Sequence, residues 1–277
     1  MSRRTTIAAL AGSCHPEPVV AVTAITTALA VAAGLGARSL LVCAAILTGQ
    51  LSIGWGNDYL DRDRDRAALR ADKPLALGAV STRLVGRAAV LALCACVPLS
   101  LALGWRAALA HFVGVTAGWV YNLGGKATVL SPMPYVVAFG LIPSIVTLAS
   151  VRQHFAPWWA TLGGALLGAS AHFTNTLPDL TDDALAGIRG LPHRLGRRGS
   201  LVSAVVLLAN ACVVLAFGPG SGLGLTAGVL LAVAAAAIAG IVVVAGRIDG
   251  TRDAFRLTVL TAVLAVALLV IRGNQLH

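Results

Sequence analysis

"GWGNDYLDRDRDRAALRADKP", from Gly54 to Pro74, follows directly on "SLLVCAAILTGQLSI" (Ser39–Ile53), a run without a single charge. Five aspartates, four arginines and a lysine are thus gathered at the end of an apolar helix. Only 12% of the chain is charged, about half the usual fraction of a soluble domain, roughly 25%. Charges this scarce, placed where a greasy segment ends, read as the polar mouth of a membrane-spanning helix.

Outward from this stretch, the chain of 277 residues is 57% hydrophobic, with mean hydropathy +0.84. Apolar runs of about 20 residues suffice to cross a bilayer as helices. Nine such segments are predicted, at 18–36, 39–57, 84–104, 105–123, 132–150, 157–177, 200–218, 222–245 and 254–271. Short connections make residues 1–277 one all-α integral membrane domain. Only helices and closed barrels satisfy every backbone group in lipid, and these runs lack strand alternation. Residues 1–17 are expected to lie at the interface, with Arg3 and Arg4 at the headgroups; "LAGSC" (Leu10–Cys14) only faintly resembles a lipoprotein cleavage site.

The formal charge of +10 does not indicate nucleic acid. Seventeen of the 21 Lys and Arg fall in the N-terminus or around the loops after predicted helices 2, 4, 6 and 8, leaving Arg38, Arg106, Arg152 and Arg272 on the other side. That asymmetry is the positive-inside rule. It predicts a multi-pass cell-membrane protein with its N-terminus cytoplasmic, its C-terminus outside, and the lipid bilayer as its surroundings.

All 11 acids fall on the predicted cytoplasmic side, and most form two clusters. Asn57, Asp58, Asp61, Asp63, Asp65 and nearby Asp72 make the first; Asn175, Asp179, Asp182 and Asp183 make the second. Residues four apart share a helix face. Asn57, Asp61 and Asp65 therefore stack with Asp58 beside them, while Asp63 points about 200° away from Asp61. Asn175, Asp179 and Asp183 repeat the spacing, although Pro178 is expected to kink that helix. His172 lies near the same face. The repeated constellation hints at duplication of a four-helix unit.

Stacked carboxylates repel unless cations neutralise them. Hard ions such as Mg²⁺ take oxygen ligands, typically carboxylates, waters and substrate phosphates. Two facing clusters would suit Mg²⁺ shared with one diphosphate. The five cysteines have no metal-ligand spacing, so zinc is unsupported. "DRDRDR" by itself also fits a solvated loop of local ion pairs, but "NTLPDLTDD" has no Lys or Arg before Arg189 to neutralise it.

These residues resemble the signatures of UbiA-type membrane prenyltransferases. "NDYLDRDRD" resembles that family's NDxxDxxxD motif, "DLTDD" its second DxxxD motif, and "YNLGGK" (Tyr121–Lys126) its tyrosine–lysine stretch; "DKP" and "GLPHRLG" stand where it has recurring elements. The resemblance implies nine helices around a central cavity, with an allylic polyprenyl diphosphate held at the cytoplasmic mouth through Mg²⁺. Asn57, Asp58, Asp61, Asp65, Asp179 and Asp183 would bind metal and diphosphate, with Asp182 in support. Asn175 joins the substrate-binding candidates. Basic candidates for the diphosphate are Lys126, the one basic residue of its loop, then Lys73, Arg66, Arg189 and Arg194. Arg62 and Arg64 are expected to face solvent. Tyr121 would meet a phosphate oxygen or the allylic cation. Trp55, Tyr59, Tyr135, Phe139 and Phe173 are candidates to shield that cation.

The expected activity is Mg²⁺-dependent transfer of a prenyl group to a lipophilic acceptor. The alternatives are a membrane terpene cyclase using the same ionisation without an acceptor, and an acidic-site cation transporter. A transporter would place its carboxylates near the bilayer midplane. A CDP-alcohol phosphotransferase is disfavoured, since its D-G-x2-A-R opening is missing.

Overall fold

Each predicted span falls on a helix in the computed structural model, which describes residues 3–68, 70, 73–185, 187–220, 222–245 and 251–276. Among the described residues all regular structure is helical: α1 (Arg3–Gly12), α2 (Pro16–Ala32), α3 (Arg38–Ala67), α4 (Thr82–Ala102), α5 (Trp105–Asn122), α6 (Met133–Leu148), α7 (Trp158–Thr176), α8 (Leu180–Leu185), α9 (Leu191–Phe217), α10 (Leu225–Ala245) and α11 (Thr251–Ile271), with short 3-10 turns at Gly125–Ala127 and Gly273–Gln275. By length and apolarity alone, α3, α4 and α9 each suffice to cross a membrane. The pair Thr6–Gly12 and Pro16–Ala32, bent by 67°, gives a fourth candidate if counted as one broken span.

Local chemistry sets these boundaries. Pro16 opens α2 at a position where a missing N–H costs nothing. The Ser81 hydroxyl accepts the Leu84 amide and caps α4. Arg64 and Arg66 in the last turn of α3 complement its dipole. Pro178 does more than kink its helix. α7 ends at Thr176, a turn follows, and the second acidic motif runs into the separate short helix α8. Asn175, Asp179 and Asp183 are therefore not one continuous helix face, contrary to expectation.

Neighbouring helices close a ring in the order α2, α3, α5, α6, α7, α9 and α11, with α4 against α3 and α5, and α10 against α11 and α9. Small residues in "WWATLGGALLGASAHF" allow close approach of α7 to α6: a Cβ on Gly164 would lie 2.6 Å from the Phe139 carbonyl oxygen. The packed core lies mainly in one half of the bundle. Leu29, Val42, Ile145, Leu148, Leu215 and Leu268 are fully or almost fully buried there. The opposite half carries the acids.

The length of α3 explains how its acids leave the apolar region. Its 30 residues extend about 45 Å at 1.5 Å per residue, against about 30 Å of hydrocarbon. Roughly three turns overshoot, and they carry Asn57 to Ala67.

Candidate functional site

The first cluster is built on those overshooting turns. Asn57 is held by three neighbours: its Nδ2 donates to Asp61 Oδ2 (3.2 Å) and Asn122 Oδ1 (3.0 Å), while its Oδ1 lies 3.1 Å from His15 Nε2. Asn122 is fixed in turn by donating to the Ile53 carbonyl at 2.9 Å. Asp61 receives the buried Lys126 ammonium on Oδ2 and Arg64 on Oδ1 at 3.1 Å. Asp58, 1% exposed, accepts Lys73 at 2.7 Å and lies 3.0 Å from His15, both on Oδ1. Its Oδ2 is buried without a partner.

The second cluster faces the same mouth. Arg70 pairs with Asp179 at 3.3 Å, and His193 lies 3.5 Å from Asp183. Lys126 and Arg70 are both close enough to act on the Asp183 charge, and Lys73 and Arg70 act on Asp65. Two acidic segments more than 110 residues apart thus share one set of cations. Burial lifts the Asp183 carboxyl above the usual range, with Asp179 adding to the effect. Burial also lifts Asp65, on the overshooting end of α3, helped by Asp61 and Asp58 and opposed by Lys73 and Arg70.

Between the acids and the packed core lies an aromatic cluster on α5, α6 and α7. Tyr121 meets Tyr135 edge-on at 5.3 Å and His172 at 5.7 Å. Tyr135 stacks on Phe139 at 6.0 Å and lies 5.1 Å from His172, which in turn neighbours Phe173. His172 Nε2 is 3.0 Å from the Ser131 hydroxyl, whose oxygen also accepts the Leu191 amide. These π faces can accommodate a positive charge.

Several sequence expectations are relocated. Asp63 is 73% exposed and pairs with Arg62 and Arg66. This agrees with its opposite helical phase but removes Arg66 from the carboxylate face. Arg64, expected in solvent, binds Asp61, because an i,i+3 reach brings it back to that face. Trp55 donates to the Leu10 carbonyl, and exposed Tyr59 lies under Arg62; neither joins the aromatic cluster. Asn175 is exposed, its side chain bonding the Tyr135 hydroxyl. Arg189 and Arg194 are exposed and joined to each other, Arg194 Nε donating to the Arg189 carbonyl. Asp72 and the Asp182 side chain lie outside the described residues. Among the described residues, no three His, Cys, Asp or Glu side chains converge on a single metal position; the carboxylates are separately engaged with basic groups.

Other participants were not singled out by sequence. Asn122 lies inside "YNLGGK" and His193 inside "GLPHRLG", so proximity to those motifs was an available signal. His15, in the short break before Pro16, offered only its position. Arg70 was one arginine among several.

Comparison with known proteins bears on the fold and the family. No curated protein matches the chain. The solved structure of a UbiA homologue from Archaeoglobus fulgidus bound to GPP and Mg²⁺ superposes with TM-score 0.67 at 18% identity, covering 94% of this chain and 99% of that one. The same homologue bound to DMAPP and Mg²⁺ gives 0.67 at 18% identity, covering 94% and 98%. A structure of digeranylgeranylglyceryl phosphate synthase gives 0.71 at 16% identity, covering 98% and 99%. These likenesses show the fold. The family model for UbiA prenyltransferases matches residues 6–257, nearly the whole chain. The chain belongs to the UbiA prenyltransferase family.

Proposed function

We propose that the protein ionises an allylic polyprenyl diphosphate with Mg²⁺ and transfers the prenyl group to a lipophilic acceptor. The observation carrying this reading is the shared mouth of the two acidic segments. Buried Asp61 and Asp58 are held by Lys126 and Lys73, and Arg70 bridges to Asp179. Solved relatives bound to GPP or DMAPP with Mg²⁺ support it.

The donor set fits a hard cation. It is all oxygen, and Asp58 Oδ2 is buried without a hydrogen-bond partner, a costly arrangement unless a cation completes it. Asn57, Asp58, Asp61, Asp65, Asp179 and Asp183 would hold Mg²⁺, with Asp182 in support. When bound, Mg²⁺ supplies charge neutralisation for the departing diphosphate. Lys126, Lys73 and Arg70, which pair with Asp61, Asp58 and Asp179, would also meet the diphosphate. Oriented charge of this kind stabilises negative charge as the allylic C–O bond breaks. Tyr121, with Tyr135 and His172, lines the place where the allylic cation would be shielded.

The reading includes nine spans around a central cavity, in one domain, with N-terminus and mouth cytoplasmic. Cysteine labelling from either side at positions 66 and 106 tests that orientation, and equal outside labelling would exclude it. The acids gather at one end of the helices, which disfavours a cation transporter. For the activity itself, purified protein is incubated with Mg²⁺ and a series of polyprenyl diphosphates, with and without a phenol, quinol or sugar phosphate. Acceptor-dependent prenylated product is expected. Hydrocarbon formed without acceptor would replace transfer by cyclisation, and no diphosphate release from any substrate would remove the enzyme reading.

A further inference from the structure

We infer that His15 is a positioning residue of the diphosphate site, and that the N-terminal segment carrying it is part of the catalytic structure. This rests on the prenyl-diphosphate reading and adds a residue outside its acidic and basic motifs. His15 sits at the bend between α1 and α2, 42 residues before Asn57 and 58 before Lys73. Its backbone is left-handed, with φ 56° and ψ 68°. For a residue with a Cβ this conformation costs about 1–2 kcal/mol, and it persists only where surroundings enforce it.

The surroundings do so at three points. Trp55 Nε1 donates to the Leu10 carbonyl at 2.9 Å. Gly54 lies so close to Cys14 that an added Cβ would be 2.0 Å from the Cys14 carbonyl oxygen. On the other side, Pro74 of the "DKP" loop packs over Gly12, 3.1 Å from where a Cβ there would be. The segment is therefore fastened both to α3 and to the loop bearing Lys73, and the strained residue is the one that reaches the acids.

The hydrogen-bond chain assigns its role. Asn122 Nδ2 donates to the Ile53 carbonyl, so Asn122 Oδ1 accepts, and Asn57 Nδ2 donates to it. Asn57 Nδ2 also donates to Asp61. The Asn57 amide is thereby turned with Oδ1 toward His15 Nε2, which also lies 2.7 Å from the Lys73 ammonium. Nε2 and the Lys73 ammonium both meet Asp58 Oδ1, at 3.0 and 2.7 Å. His15 and Lys73 thus occupy one oxygen of Asp58 together and leave Oδ2 without a hydrogen-bond partner. In this way one imidazole fixes both the Asn and the first Asp of the NDxxD motif. Partners that orient metal ligands typically change metal affinity about 10–100-fold when removed.

The test compares wild type, His15→Ala, His15→Gln and Trp55→Phe. Mn²⁺ binding is followed by electron paramagnetic resonance with geranyl thiolodiphosphate, a non-ionising probe; KM and kcat are measured separately with geranyl diphosphate. His15→Ala should weaken Mn²⁺ binding by at least tenfold and raise KM more than it lowers kcat. Gln places an amide, which both donates and accepts, near where Nε2 was, and should return Mn²⁺ affinity to within about threefold of wild type. Trp55→Phe, which keeps packing but releases Leu10, should show a smaller loss in the same direction. If His15→Ala does not fold, the Gln and Phe variants decide. Gln binding more than about tenfold below wild type, or Phe binding unchanged, then overturns the inference. It is also overturned if folded His15→Ala binds Mn²⁺ as wild type does, or if Gln is as impaired as Ala. Wild type failing to bind probe and Mn²⁺ together would instead overturn the diphosphate reading and this inference with it.

Discussion

Replacing Lys126 by Met should expose how strongly the mouth depends on its buried ion pair. Lys126 and Asp61 side chains are 9% and 11% exposed, so the substitution strands a carboxylate largely removed from water. Breaking such a pair from one side costs about 3–5 kcal/mol. Arg64 and Asn57 still contact Asp61, which argues for the lower end, about 3 kcal/mol. For a chain of this size about 1 kcal/mol corresponds to roughly 2–4 °C, giving a fall of about 6–12 °C. The assay is thermal unfolding by tryptophan fluorescence, in one detergent, without Mg²⁺ or diphosphate. Adding Asp61→Asn to Lys126→Met should restore most of the loss, since no unpaired charge then remains buried. A fall below about 2 °C for the single substitution, or a double variant no more stable than Lys126→Met, would refute the reasoning.

Asp61→Ala and Asp65→Ala should abolish turnover while Asp63→Ala, at an exposed site paired with Arg62 and Arg66, should retain most of it; equal damage in a product-release assay would overturn the assignment of faces. Asp61→Ala with Asp179→Ala should cost little more than the worse single change, because groups acting on one diphosphate are non-additive; multiplicative losses in the diphosphate-release rate would indicate independent sites. Asp183 has a raised carboxyl, mainly from burial and then from Asp179, so proton uptake favours the folded state as pH falls through the raised value. Asp183→Asn should therefore raise the melting temperature at neutral pH, with the gain shrinking as pH falls through the raised value toward the ordinary carboxylate range. Metal binding needs the ionised form, so wild-type Mn²⁺ affinity should decline on acidification before that of a protein with ordinary carboxylates. A melting temperature for Asp183→Asn below wild type at neutral pH would contradict this.

Fold class was legible because the bilayer restricts the alternatives: apolar runs of helical length must become helices, and a helix stands at each predicted one. The acidic mouth was legible for a similar reason, since few residues are charged and 3.6-residue periodicity separates Asp61 from Asp63 without tertiary information. Pro178 announced an interruption, but not that α7 would stop at Thr176 and leave Asp179 to a turn and Asp183 to α8. Side-chain partners were beyond reach of periodicity. Arg64 and Arg66 differ by two positions in a repeating "DR" pattern, yet one binds Asp61 and the other Asp63. Long-range joins were more hidden still. His15 meets Asn57 only because a bent N-terminal pair of helices is pinned at Leu10, Cys14 and Gly12, and Lys126 meets Asp61 only because α5 returns beside α3. Local periodicity determines which side chains share a helix face; packing of distant segments determines which faces meet, and that choice depends on contacts no single segment contains.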